Sequence, residues 1–395
     1  MATATPFNFD ERVERRGTDS GKWGKVDPDV LPMWTADMDF RTAPAIIQAL
    51  HERVEHGVFG YGYSSWTHQP TELIATLQAH YANRYNVELA PEDLLFVPGV
   101  VAALYGMAKL SEPNTHILIQ TPNYWPIFSA AEAAPREIAS APLVVSRTGD
   151  TIRYEVDFDA FEAAITPQTH LFLFSNPHNP VGRAYERWEL ERMAEICLRH
   201  DLIICSDEIH CELVLGDNQH IPMMSLSPEV ADRCVTLVAA TKAFNLAGFK
   251  LGIAISQNHE LLANLEAHFT NLGLGSTPIM GYVAALAAFR DSLPWLDALR
   301  QYLTANRDYA VEFVQQNLPG VVSTCPEATY LLLMDCTNAG LEGDPCGCFL
   351  DKARVALSGG FGTQGPGFDK LARLNFGCPQ SQLAEVLERM QRALV

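Results

Sequence analysis

The stretch "DLIICSDEIHCEL" (201–213) decides how the chain is read. An apolar run, Leu202 to Cys205, stops abruptly at Ser206, Asp207, Glu208 and His210. A short continuous apolar run of this kind predicts a strand covered on both faces. Charge at the end of such a strand is costly to bury unless something is held against it. The pattern recurs along the chain. "THLFLF" (169–174) runs into "SNPHNPVGR", and "CVTLVAA" (234–240) runs into "TKAFNLAG". "THILIQ" (115–120) and "LGIAI" (251–255) add two more apolar runs. Between them lie stretches such as "ERWELERMAEICLRH" (186–200), with apolar residues at three- and four-residue intervals. Strands alternating with amphipathic helices predict an α/β fold with a mostly parallel sheet between helices. In such sheets ligands sit beyond the carboxyl ends of the strands, where this chain concentrates its polar chemistry.

At 395 residues there is room for a large domain and a smaller one. After about residue 290 comes a long helical stretch, "PWLDALRQYLTANRDYAVEFVQQNL", then short strand-like pieces and a closing helix, "SQLAEVLERMQRALV". The expected division is residues 1–45 as an N-terminal segment joining the smaller domain, 46–288 as the large domain, and 289–395 as a smaller α+β domain. With 28 Lys and Arg against 47 Asp and Glu, the formal charge is −19. That argues against nucleic acid or an anionic membrane as a partner. The opening residues lack a signal-peptide core and no segment is apolar for long enough to span a bilayer. The nine cysteines show no framework spacing, and Cys197, Cys205 and Cys234 sit inside apolar runs. Reduced thiols and a cytoplasmic location are expected. "CGC" (346–348) is not CxxC and has no second pair nearby, so no metal site is expected.

Asp207 and Lys242 lie 35 residues apart, about one strand–helix–strand repeat, so both side chains can reach one crevice. As a pair alone they would read as an internal salt bridge. The third strand end changes that, because the turn "NPHNPVG" would fix an Asn side chain near the same place.

Asn, Asp and Lys at successive strand ends, in that order, resemble the fold-type I pyridoxal-phosphate enzymes of the aspartate aminotransferase superfamily. The resemblance covers nearly the whole chain. It implies a large domain with a seven-stranded, mostly parallel sheet, and pyridoxal 5′-phosphate as cofactor. Asp207 would hold the cofactor's ring nitrogen protonated, and Lys242 would supply the amine for its aldehyde. Asn179 and His210 would serve its phenolic oxygen, and Tyr124 would stack on the ring. Val100 and Val101, after Gly99 in "VPGVVAALYGMAKL", would offer amides to the phosphate, with Thr241 and Lys250 adding contacts. Arg373, in "RLNFGCP" (373–379), would grip the substrate's carboxylate, with Asn179 and Trp34 beside it.

"LPMWTADMDF" (31–40), "FGYGY" (59–63), "KAFNLAG" (242–248) and "PEATYLLLMD" (326–335) are similar to the MalY/PatB-type cystathionine β-lyases. That implies β-elimination from cystathionine or another S-substituted cysteine, with an aminotransferase as the alternative. It also implies a homodimer in which Tyr61 reaches the partner's cofactor phosphate. The chain departs from its relatives at Lys250, where Arg is frequent, at Ala239, where Ser is frequent, and at Thr35, where an aliphatic residue is usual. "GGFGTQGPG" (359–367) contains a G-x-G-x-x-G match, but Pro366 and Gly367 bar a helix from opening there, so it reads as a mobile loop beside Arg373 rather than a dinucleotide site. His178, between two prolines, reads as a structural or solvent-facing residue rather than an acid or base.

Overall fold

A computed structural model of the protein describes residues 7–63 and 70–394. Its centre is a seven-stranded sheet in the order Leu94–Val97, Gly252–Ile255, Cys234–Val238, Ile203–Asp207, Thr169–Ser175, His116–Thr121 and Glu137–Pro142. Gly252–Ile255 is antiparallel to both neighbours, and the remaining pairs are parallel. The five apolar runs of the sequence are all strands of this sheet. Successive side chains of a strand point to opposite faces, and here each face meets its own apolar cluster. Phe172, Phe174 and Ile204 enter one, while Leu171, Leu173 and Cys205 enter the other. Burial on both sides explains why these strands are apolar without alternation.

Helices connect the parallel strands, among them Val100–Leu110, Trp125–Ala133 and Arg187–Arg199. Among the described residues no helix is long and apolar enough to cross a membrane. A second, five-stranded sheet runs in the order Leu371–Asn375, Leu331–Asp335, Val322–Thr324, Thr151–Glu155 and Val144–Thr148. The hairpin 144–155 therefore pairs with C-terminal strands, although it lies inside the span 46–288 assigned from sequence to the large domain. Its alternating, half-exposed residues look like any surface hairpin, and nothing local in them names the partner strand.

The segment 34–40, "WTADMDF", crosses between the two sheets as a strap. Asn245, three residues after Lys242, holds it by three bonds. Its Oδ1 accepts from Met38 N at 3.0 Å, and its Nδ2 donates to Met38 O and Phe40 O at 2.8 and 2.9 Å. From the other sheet Asn375 Nδ2 donates to Thr35 O and Asp37 O at 2.6 and 2.7 Å. The strap's anchor is Asp39, 2% exposed. It accepts from Lys22 Nζ at 2.8 Å, Arg15 Nη1 at 2.6 Å, Trp23 Nε1 at 2.9 Å and Gln382 Nε2 at 3.0 Å. Burial alone would raise its pKa, but Lys22, Trp23 and Arg15 outweigh burial and bring it below the ordinary carboxylate value. The stability this contributes is present at neutral pH and is lost as acid protonates Asp39 below the usual aspartate range.

Lys22 is itself fully buried. Asp39→Asn should therefore destabilise the protein by roughly 3 kcal/mol, because the buried ammonium loses its close carboxylate and keeps only Asp37, whose Oδ1 lies 3.7 Å away. Asp39→Asn combined with Lys22→Met should recover part of that loss in denaturant titrations.

Candidate active site

Asp207 ends its strand level with Ser175 on one side and Leu237 on the other. The ladder continues one rung further, with Asn176 N donating to Asp207 O at 2.9 Å and Glu208 N to Leu237 O at 2.8 Å. Asp207 Oδ1 then accepts from Ile209 N at 3.2 Å, an Asx turn that leads the chain out of the sheet. The two adjacent carboxylates part company here. Glu208 turns into the core, accepting from Ser206 Oγ at 2.8 Å and Met223 N at 2.9 Å and pairing with His220 Nε2 at 2.7 Å. Asp207 faces a cavity of about 580 Å³. Burial lifts its pKa to about 7, against smaller opposing effects from the Ile209 amide and the Lys242 charge.

Lys242 lies in the short helix Ala240–Ala243 and lines the same cavity. Its Nζ donates to Ala36 O on the strap at 2.6 Å. Burial lowers its pKa to about 8; Asp37 and Asp207 pull it upward and Arg373 pushes it further down. Asn179, Tyr124, His210, Thr241 and Lys250 also line the cavity, so the ends of separate strands do meet in one place. Burial, with Lys242 and Arg373 nearby, holds the His210 imidazole neutral, well below its usual pKa. Its Nδ1 is buried with no hydrogen-bond partner among the described residues. Burial, with Asp207 next, keeps the Tyr124 phenol protonated by raising its pKa.

The helix Val100–Leu110 opens onto the cavity, with Val100 and Val101 in its wall. Gly99 stands before it at φ +109° and supplies no side-chain cap, so among the described residues no side chain competes with an anion for the first amides. Strand residue Gly252 makes the approach possible, since a Cβ there would lie 2.9 Å from Val100 N. Lys250, in the left-handed region at φ 48°, forms part of the cavity wall beside this helix start.

Arg373 is buried in the strand Leu371–Asn375. Its Nη1 donates to Asn179 Oδ1 at 2.7 Å and its Nη2 to Trp34 O at 3.0 Å. Its Nε has no partner among the described residues, and burial lowers its pKa to about 10. Trp34 thus enters through its main-chain carbonyl; the indole instead donates to Lys22 O at 3.3 Å, and Lys25 lies over its ring. Tyr61 is 93% exposed and lies outside the cavity wall of its own chain. His178 is fully buried between Tyr185 Oη at 2.7 Å and Pro122 O at 3.0 Å. The run 359–367 is anchored, with Phe361 and Gln364 both buried, where the sequence suggested a mobile loop. Sequence reasoning missed the strap carbonyls of Trp34 and Ala36 as the partners of Arg373 and Lys242, because main-chain acceptors have no residue signature. It also missed Asn245 and Asn375; the Asp-x-Asp of the strap was the available signal.

The aminotransferase class I and II family model matches residues 28–390. The chain belongs to that family. Cystathionine β-lyase PatB of Bacillus subtilis is 37% identical over 98% of this chain and 100% of its own length. Protein MalY of Escherichia coli is 30% identical over 95% of this chain and 96% of its own. Among solved structures, OvoB superposes with a TM-score of 0.91 at 40% identity over 98% of this chain and 99% of its own, and the pyridoxal-phosphate-bound C–S lyase of Staphylococcus hominis with 0.90 at 30% identity over 99% of both.

A lysine held near pKa 8 in place of 10.5 is an unusually reactive amine. In the cofactor-free protein, Lys242 should be acylated ahead of the other lysines, its rate rising through about pH 8 as the neutral form appears. Peptide mapping over a pH series checks this; a rise only near the ordinary lysine range would contradict it.

Proposed function

We propose that the protein is a pyridoxal-phosphate-dependent carbon–sulfur β-lyase of the MalY/PatB type, cleaving cystathionine or other S-substituted L-cysteines to a thiol, pyruvate and ammonia. The observation that carries the reading is the pairing, across one cavity, of a buried carboxylate with no salt-bridge partner among the described residues and an amine whose pKa is lowered to about 8. The names of the full-length relatives, cystathionine β-lyase and C–S lyase, support the reaction type.

The donor set fits the cofactor. Asp207 suits a protonated ring nitrogen, and Tyr124 suits the ring face. The unpartnered His210 Nδ1 and the amide nitrogen of Asn179 suit a phenolic oxygen. The free amides of Val100 and Val101, with Thr241 and Lys250, suit a phosphate. When bound, pyridoxal phosphate supplies an aldehyde for the Lys242 amine and a cationic ring that accepts the electron pair released at Cα. Asp207 keeps that ring charged. Arg373, whose charge its neutral partners Asn179 Oδ1 and Trp34 O leave uncompensated, takes the substrate's α-carboxylate. Lys242 Nζ, neutral above about pH 8, removes the Cα proton as general base. The bond from Cβ to sulfur then breaks and the sulfur departs as thiolate, a good leaving group. The unsaturated product takes up water to give pyruvate and ammonia.

The chain works as a homodimer in this reading, with Tyr61 serving the partner's phosphate site. Its exposure, and that of Val58 and Phe59 beside it, supports this. Nine free cysteines, several buried, suit a cytoplasmic setting. The aminotransferase reading shares the same proton abstraction and differs in where the proton returns.

Cystathionine should yield pyruvate and free thiol with no keto acid added; pyruvate appearing only with a keto acid would reverse the ranking. Lys242→Ala should lower turnover by at least ~10²-fold, the scale of a lost general base. Mixing Lys242→Ala with Tyr61→Ala chains should restore activity, since the mixed dimer carries one intact site; no restoration would contradict a shared site.

A further inference from the structure

The glycine-rich run 359–367 has no part in the reading above, yet it holds one of the more specific contacts in the molecule. Gln364 lies in the 3₁₀ turn Phe361–Gln364 and is 9% exposed. Its carboxamide makes two hydrogen bonds with a single residue 241 positions away. Nε2 donates to Asn123 O at 3.0 Å, and Oε1 accepts from Asn123 N at 2.8 Å. A side chain here performs the pairing that a neighbouring strand would offer. Asn123 immediately precedes Tyr124, and its own Oδ1 accepts from Tyr124 N at 2.7 Å. The main chain that aims the tyrosine is thus clamped within one residue. Ser358, the residue just before the run, is tied to the carboxylate site. Ser358 N donates to Arg373 O at 3.0 Å, and Arg373 N donates to Ser358 O at 2.8 Å. Phe361 seats the turn in an apolar cluster with Leu333 and Leu371.

We propose that Gln364 is a positioning residue for Tyr124, fixing its ring over the cofactor and joining it through the 358–364 span to the strand of Arg373. The proposal rests on the pyridoxal-phosphate reading for its catalytic consequence; the clamp itself does not. A substrate carboxylate drawn onto Arg373 acts on a strand hydrogen-bonded to Ser358, from which the chain runs six residues to Gln364, the group that holds Tyr124. Of the glutamine's two bonds, each is of a size that makes losing both about a tenfold effect.

Gln364→Met keeps the volume and removes both bonds; Thr363→Ala, on the exposed neighbour, is the control. In the cofactor-free protein, hydrogen exchange of the amides at 123–125 should quicken about tenfold in Gln364→Met and stay unchanged in Thr363→Ala. With pyridoxal phosphate added, the dichroism of the bound cofactor should weaken and kcat should fall about tenfold with KM little changed. In a Tyr124→Ala background Gln364→Met should add no further loss, because both changes remove one constraint. Wild-type exchange and dichroism in Gln364→Met would overturn the proposal, as would losses that multiply in the double variant. Should Gln364→Met fold poorly, Gln364→Glu retains the acceptor for Asn123 N, and intermediate exchange is expected; wild-type exchange would count against the clamp. If the wild-type protein takes up no pyridoxal phosphate, the functional reading falls, while the cofactor-free exchange arm still decides the clamp.

Discussion

The architecture of the site follows from one unfavourable placement, a carboxylate at the buried end of a strand. Among the described residues Asp207 has a single hydrogen-bond donor, the Ile209 amide, and burial lifts its pKa to about 7. A raised acid of this kind stabilises the fold only while protonated. Its contribution is present below the ordinary aspartate range near pH 4 and is lost as pH rises through about 7. The loss is on the order of 4 kcal/mol, at 1.4 kcal/mol per pH unit. Glu208, its neighbour, is buried as deeply yet has Ser206, His220 and the Met223 amide as partners. The two residues separate a structural carboxylate from one left open for a cation that the fold does not itself bring into contact.

Everything else near the cavity keeps that opening in shape. Lys242 is the nearest candidate to neutralise Asp207, but its Nζ is drawn instead to Ala36 O on the strap. Arg373 is likewise directed to neutral oxygens at Asn179 and Trp34. Both cations are therefore held apart from the carboxylate and kept available for other partners. The strap can do this because Asp39 anchors it with four donors, two of them cationic, and Asn245, just after the Lys242 helix, and Asn375, in the second sheet, fasten it from both sides. The charge that looks excessive in "WTADMDF" is consumed in holding two main-chain carbonyls in place.

Much of this was legible in the sequence. Strands covered on both faces must be apolar throughout, so "THLFLF", "DLIIC" and "CVTLVAA" announced the sheet, and the polar residues that follow them marked its functional edge. Strand direction was less legible. Gly252–Ile255 is as apolar as its parallel neighbours but runs the other way, and an apolar run carries no direction. The 144–155 hairpin reads locally as a hairpin, while its pairing with residues 322–324 depends on chain packing far away in sequence. The roles of Trp34 O and Ala36 O were invisible for a simpler reason, since every residue has a carbonyl. Trp34 itself drew notice only through the family resemblance of "LPMWTADMDF", and its indole faces Lys22 and Lys25 rather than the cavity. Gln364 in a glycine-rich loop gave no pattern at all.

The central claim is that the amine of Lys242 and the acid of Asp207 act on one bound pyridoxal phosphate. The most direct measurement is a visible absorption spectrum of the purified protein mixed with pyridoxal phosphate, followed by borohydride and peptide mass mapping. The account predicts a yellow protein whose colour borohydride discharges, with the added pyridoxyl mass on the peptide that carries Lys242. A protein that stays colourless, or one labelled at other lysines while Lys242 remains unmodified, would contradict it.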